Sequence, residues 1–225
     1  MAAPAPSDPR GGSGRYYWSV TQPALTWQPS LFGAAESGVD ASFDGLERAL
    51  LDDDSWVDYC PEWVAGSDAL FEQLLDAVQW GQRQRWMYDR QVDEPRLTSW
   101  RRIEEDARPE APLLTESRRV LSARYGVVFD SVGLNLYRHG ADSVAWHRDR
   151  IPKEVADPVV ALVSLGAART FLLRPRGGGR SRSFKLGHGD LLVTGGQTQR
   201  RFEHSVPKVA RSGPRISVAF RHGVR

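Results

Sequence analysis

The chain has 225 residues, 40% of them apolar and 26% charged, with a formal net charge of +2, a balance that suits one sizeable globular domain with extensions. It has no run of about eighteen apolar residues, which excludes a membrane-spanning helix. Its single cysteine, Cys60, excludes an intrachain disulfide framework, and a reducing cytoplasm is the expected location.

Residues 1–15, "MAAPAPSDPRGGSGR", lack the apolar core of a signal peptide and are expected to form a disordered tail. Residues 16–59 start aromatic and proline-containing and read as an irregular arm laid over the domain that follows, residues 60–225. Within that domain, "GSDALFEQLLDAVQW" repeats Leu70, Phe71, Leu74, Leu75 and Val78 on one face at helical spacing, with Ser67 as N-cap. A second helix is expected from Pro112 to Tyr125, ended by Gly126.

From about residue 127 the pattern turns to short Val-, Leu-, Ile- and Phe-rich stretches punctuated by glycine. The expected strands are 127–138, 143–149, 159–165, 169–174, 182–186, 190–194, 202–206 and 215–221. Helices first and short strands after indicate an α+β fold: a double-stranded β-helix, or jelly roll, with N-terminal supporting helices. Charge is divided unevenly. Residues 1–137 carry 13 basic and 22 acidic side chains, a net of −9, and residues 138–225 carry 17 and 6, a net of +11. The basic C-terminal half offers a surface for a polyanion, or simply a solvated basic face.

The chemistry centres on "NLYRHGADSVAWHRDR", residues 135–150. Side chains at i and i+2 of a strand share a face, so His147 and Asp149 can reach one metal ion together. His204 in "RFEHSVPK" is the best candidate for a third ligand. Two histidines and a carboxylate on one side of an ion leave positions open, as non-haem Fe(II) oxygenases require. A surface His–Asp contact would give the same local pattern. Asn135 and Tyr137 share one parity upstream, and Arg215 and Arg221 share another in "RISVAFR". An inward-facing arginine needs an anionic partner, and its planar fork suits a carboxylate; an ion pair at a sheet edge is the plainer reading.

With these stretches, and with "PRLTSW" (95–100), "LVSLGAARTFLLR" (162–174) and "LGHGDLLVTGGQTQRRFEHSVPK" (186–208), the chain resembles the AlkB family of Fe(II)- and 2-oxoglutarate-dependent dioxygenases over roughly residues 60–222. The resemblance implies a jelly roll that uses Fe(II), 2-oxoglutarate and O2 to demethylate N-alkylated bases of DNA or RNA, in a single strand or flipped from a duplex. It makes His147, Asp149 and His204 the iron ligands and the catalytic set. Asn135, Tyr137, Arg215, Ser217 and Arg221 become the cosubstrate residues. Arg96, Trp100 and Arg150 become substrate-facing, Trp100 as a stacking surface for the base or else as a core tryptophan. A monomer without membrane attachment is expected. His188 is expected to be structural, and His139 and His222 exposed.

The chain departs from the family pattern in three places: Ser217 and Ala219 stand where Asn and Thr are usual, Arg150 follows Asp149 where acidic residues are common, and Arg101 and Arg102 follow "PRLTSW" where Tyr and Gly are common. Iron chemistry on a protein side chain or a small molecule is therefore an alternative, and a non-enzymatic jelly-roll binding module is a third class. The stretch "LLRPRGGGRSRSFK" reads as a mobile hairpin tip presenting Arg176, Arg180 and Arg182 to phosphates.

Overall fold

A computed structural model of the chain describes residues 18–19, 25, 37–87, 89–103 and 112–223. The tail, residues 1–15, and most of residues 16–36 lie outside the described residues. In chain order the elements begin with β1 (Trp18–Ser19), β2 (Gly38–Val39), β3 (Glu47–Asp52), β4 (Ser55–Cys60), β5 (Val64–Ala65), α1 (Ser67–Ala77), β6 (Gly81–Met87), β7 (Arg90–Arg102) and α2 (Pro112–Tyr125). They continue with β8 (Ser131–Tyr137), β9 (Val144–His147), β10 (Val160–Gly166), β11 (Arg169–Pro175), β12 (Arg182–Leu186), β13 (Asp190–Gly196), α3 (Thr198–Arg201), β14 (Phe202–Val206) and β15 (Arg215–Arg221).

Two antiparallel sheets face each other. The larger runs β1-β6-β7-β8-β15-β10-β13-β4-β3 and the smaller β12-β11-β14-β9. Alternation along the central strands sorts the chemistry. Val132, Leu134 and Leu136 of β8, with Ile216, Val218 and Phe220 of β15, join the main core with Phe71 and Leu74 of α1 and Leu121 of α2. The other parity, Asn135 and Tyr137 with Arg215, Ser217 and Arg221, therefore faces the small sheet. Between the sheets lies a second apolar cluster that includes Tyr137, Phe171, Leu173, Leu192 and Val206. The fold is the expected jelly roll, a double layer whose gap is part apolar and part polar.

Several sequence expectations need correction. Ser67 is not the N-cap of α1: Gly66, in the left-handed region at φ 61°, holds that place, and Ser67 is the buried first helical residue. The helix stops at Ala77 because Val78 turns extended. Residues 47–52 and 55–60, expected almost wholly within an irregular arm, form regular strands instead: β4 pairs along β13, and β3 pairs with β4. Arg48 and the Tyr125 hydroxyl both bond to the buried Asp58, which ties this hairpin to α2. The hairpin β6–β7 was not anticipated at all, and β7 continues the sheet beside β8. α2 spans the residues expected, with Gly126 at φ 66° donating back to the Ser122 carbonyl. Among the described residues no helix is long and apolar enough to cross a membrane.

Candidate active site

His147 and His204 are cross-strand partners on β9 and β14. Their ring centroids are 4.2 Å apart, and Phe171 of β11 stacks on His204 at 5.0 Å. Because β9 ends at His147, Asp149 is not on the strand as the i, i+2 argument supposed. It reaches the same point from the segment just beyond, where Arg221 at the end of β15 donates from Nη2 to its Oδ1 over 2.8 Å. One donor atom from each of His147, Asp149 and His204 then lies within 4.8 Å of the others, close enough to share one ion.

The electrostatics keep these donors unprotonated. Burial works against the Asp149 charge, but Arg221 and the two imidazoles outweigh it and hold the carboxyl down at about 2. Burial pushes the His204 ring down to about 4, against the pull of Asp149, and lowers His147 for the same reason. The His147 Nδ1 lies 2.9 Å from the Ala145 carbonyl oxygen, a contact that places the ring proton there and leaves Nε2 free for a metal.

Arg215 is fully buried on β15. Its Nε donates to the Ser164 hydroxyl at 3.0 Å, while Nη1 and Nη2 are sealed from solvent with no hydrogen-bond partner among the described residues. A buried guanidinium with two free donor atoms is costly unless it receives an anion, and its fork fits a carboxylate. The Tyr137 ring lies 5.2 Å from its central carbon. Two register positions away, on the same face, Asn135 donates from Nδ2 to Ser217 Oγ at 3.4 Å and accepts from Arg96 Nε at 3.0 Å. Two imidazoles and a carboxylate suit Fe(II), and the Arg215 cradle suits the distal carboxylate of a dicarboxylic acid, so the residues present fit an iron ion with an acidic cosubstrate.

A family model described as the 2OG-Fe(II) oxygenase superfamily matches residues 71–221, which takes in all three donors and both arginines. This chain belongs to the 2OG-Fe(II) oxygenase superfamily. Its AlkB character follows from its relatives. The bovine (Bos taurus) alpha-ketoglutarate-dependent dioxygenase alkB homolog 3 is 36% identical over 204 residues, covering 81% of this chain and 68% of that protein. The human homologue is 35% identical, covering 70% of this chain and 62% of that protein. DNA oxidative demethylase ALKBH2 of Arabidopsis thaliana is 35% identical over 132 residues, 46% of this chain and 42% of that protein. A solved oxidoreductase of the 2OG-Fe(II) oxygenase family from Burkholderia pseudomallei shares the fold, with a TM-score of 0.52 at 15% identity over 73% of this chain and 84% of that one. As an AlkB-family dioxygenase the chain uses Fe(II), 2-oxoglutarate and O2.

The remaining expected residues divide. Trp100 on β7 is 44% exposed and stands opposite Gly133. A Cβ on Gly133 would lie 2.7 Å from Arg221 Nη1 and 3.6 Å from the Trp100 ring, so indole and guanidinium flank this glycine on one side, and the same guanidinium holds Asp149. Arg150 is exposed next to Asp149. Arg96 is turned inward beside Asn135: its side chain is 11% exposed, donates to Asn135 and pairs with Glu94 at 2.9 Å. His188 is structural as expected, accepting from the Gly166 amide at Nδ1 with Nε2 3.1 Å from Asp68. His139 is exposed, but His222 is half-buried and its Nε2 accepts from the Val159 amide. Sequence reasoning missed Ser164, Glu94 and the buried Arg169. Only Arg169 left a trace there, as a lone charge at the head of an apolar run.

Proposed function

We propose that this dioxygenase oxidatively demethylates N-alkylated bases in DNA or RNA, releasing formaldehyde, succinate and CO2. The observation that carries the reading is the half-exposed Trp100 indole, which flanks Gly133 on the same side as the Arg221 guanidinium that holds Asp149: a flat apolar surface suited to stacking a base. The relatives support it, since one group carries the name DNA oxidative demethylase, and so does the basic C-terminal half.

In this reading His147, Asp149 and His204 hold the iron. Arg215 takes the distal carboxylate of 2-oxoglutarate, with Asn135, Tyr137 and Ser217 lining its seat. Arg221 holds Asp149 in place. When bound, iron with 2-oxoglutarate supplies O2 activation coupled to decarboxylation, and so hydroxylation of an N-methyl carbon. The chain's own share is placement. Trp100 stacks the base so that its methyl group faces the metal donors. Arg150, and the hairpin tip with Arg176, Arg180 and Arg182, meet the phosphates. The hydroxymethyl nitrogen then releases formaldehyde without further help. The base must leave its stack to arrive, so single-stranded or flipped nucleotides are the substrates. A cytoplasmic monomer belongs to the same proposal.

The test is a panel of oligonucleotides, each with one N-methylated base, incubated with the Fe(II)-loaded enzyme, 2-oxoglutarate and O2 and weighed by mass spectrometry. Loss of the methyl group from at least one of them, abolished in His147→Ala and in Trp100→Ala at low substrate, is the expected result. A panel left intact while a methylated peptide or small molecule is oxidised would overturn the nucleic-acid reading.

A further inference from the structure

Arg169 begins β11 and is 2% exposed, one of the largest side chains sealed inside the protein. No carboxylate of the described residues pairs with it. Its guanidinium instead donates to three main-chain carbonyls, at 3.4 Å to His139, 2.8 Å to Asp142 and 2.7 Å to Pro207. His139 and Asp142 lie in the turn that carries the chain from Tyr137 to the His147 strand. Pro207 lies just past the His204 strand. One side chain therefore fastens together the ends of the two segments that deliver the histidines.

The surrounding bonds show that these two loops form one unit. The Arg138 guanidinium grips Asp142 at both oxygens. The Val209 amide donates to the Gly140 carbonyl at 2.9 Å, and the Gly140 Cα sits so close to that segment that a Cβ there would collide with the Val209 carbonyl. From the middle of this unit the Arg169 guanidinium lies 5.5 Å from the Tyr137 ring centroid, and Arg215 lies 5.2 Å from the same ring. Tyr137 is itself 3% exposed. Two buried cations over one aromatic ring fix the ring by attraction to its face. Such a pair is costly to hold in a closed space, which indicates that each is used.

We propose that Arg169 is a positioning residue for the cosubstrate. It holds the Tyr137 ring against Arg215, and it locks the two loops that set the spacing between the 2-oxoglutarate seat and the metal donors. The inference rests on the assignment of Tyr137 and Arg215 to that seat. Lysine at 169 keeps a charge near Tyr137 but cannot reach three carbonyls at once, whereas glutamine keeps neither the charge nor the fork.

The test uses Arg169→Lys and Arg169→Gln in the full chain. Titration calorimetry measures 2-oxoglutarate binding to the Fe(II)-loaded proteins without O2, and hydrogen exchange measures residues 138–143 in the metal-free proteins. Loss of an outer support of this kind weakens binding by about 10–100-fold, expected in full for the glutamine variant and partly recovered by lysine. Exchange should quicken in the turn in both variants. In steady state the KM for 2-oxoglutarate should rise far more than kcat falls. Folding is checked by circular dichroism, and if the glutamine variant does not fold, the lysine variant decides. Wild-type 2-oxoglutarate affinity in a folded variant would overturn the proposal. So would a fall in kcat with affinity unmoved, which would make Arg169 a brace only. A wild-type protein that binds no 2-oxoglutarate would instead overturn the assignment of the seat itself.

Discussion

Arg221 donates to Asp149 over 2.8 Å, with the two side chains only 18% and 11% exposed, and it can do so because Gly133 leaves the guanidinium room to lie over β8. The pair joins the last strand of the large sheet to the segment that carries the metal carboxylate. Arg221→Met should leave Asp149 buried without its partner, at a cost of about 3–5 kcal/mol. Fe(II) affinity, measured by competition with a chelator, should fall. Gly133→Leu should give a similar loss by pushing Arg221 aside. Unchanged iron affinity in both variants would show that Asp149 is held some other way.

Among the described residues Arg215 has two buried nitrogens without a hydrogen-bond partner and one bond to Ser164. Arg215→Ala should raise the KM for 2-oxoglutarate by an amount equivalent to about 2–5 kcal/mol, while Fe(II) affinity changes little. An unmoved KM would assign the distal carboxylate to another cation.

His188 supplies the pH dependence of stability. Burial depresses its pKa below 6.5, against the pull of Asp68. The folded state therefore favours the neutral ring, whose Nδ1 accepts from Gly166. That contribution is complete above pH 6.5 and is lost as pH falls from there through the folded-state pKa. His188→Asn, whose side-chain oxygen can still accept that amide, should remove up to about 1.4 kcal/mol of stability change per pH unit from the acid side. Urea midpoints measured at intervals below pH 6.5 check this. Parallel curves for the two proteins would show that His188 does not titrate there.

The β11–β12 hairpin presents a glycine tip, Gly177 to Gly179, all at positive φ. Arg180 and Arg182 line an open cleft of about 760 Å³ together with Arg201. Replacing Arg176, Arg180 and Arg182 with alanine should weaken oligonucleotide binding and flatten its logarithmic salt dependence by about two to three units. A slope equal to that of the wild type would take the tip out of the nucleic-acid surface.

The parts of the fold that could be read in advance share one physical property: their side chains alternate cleanly. β11 buries Arg169, Phe171 and Leu173 and turns Thr170 and Leu172 the other way, and β15 divides Ile216, Val218 and Phe220 from Arg215, Ser217 and Ala219. β6 and β7 were illegible because their inner face is polar. Arg96 and Thr98 point into the site rather than into a core, Pro95 interrupts the run, and "GQRQRWM" has no apolar alternation to mark a strand. Asp149 was grouped with His147 by the wrong geometry, since β9 stops at His147 and the carboxylate comes from the segment beyond. The pairing of Arg96 was illegible because Glu94 is near in sequence but gives no sign of being buried. Arg169 stands out as a lone charge at the head of an apolar run, but its role was illegible because its partners are backbone carbonyls, which carry no residue identity.

The central claim is that one iron site couples 2-oxoglutarate consumption to removal of a methyl group from a nucleic-acid base. The most direct measurement counts succinate and formaldehyde together, with Fe(II) and O2, in the presence of a single-stranded oligonucleotide bearing an N-methylated base and in the presence of its unmethylated twin. The account predicts that the methylated strand raises succinate production and that formaldehyde appears in equal amount, with both products absent in Asp149→Ala. Succinate production indifferent to the methyl group, with no formaldehyde from any methylated strand, would contradict it.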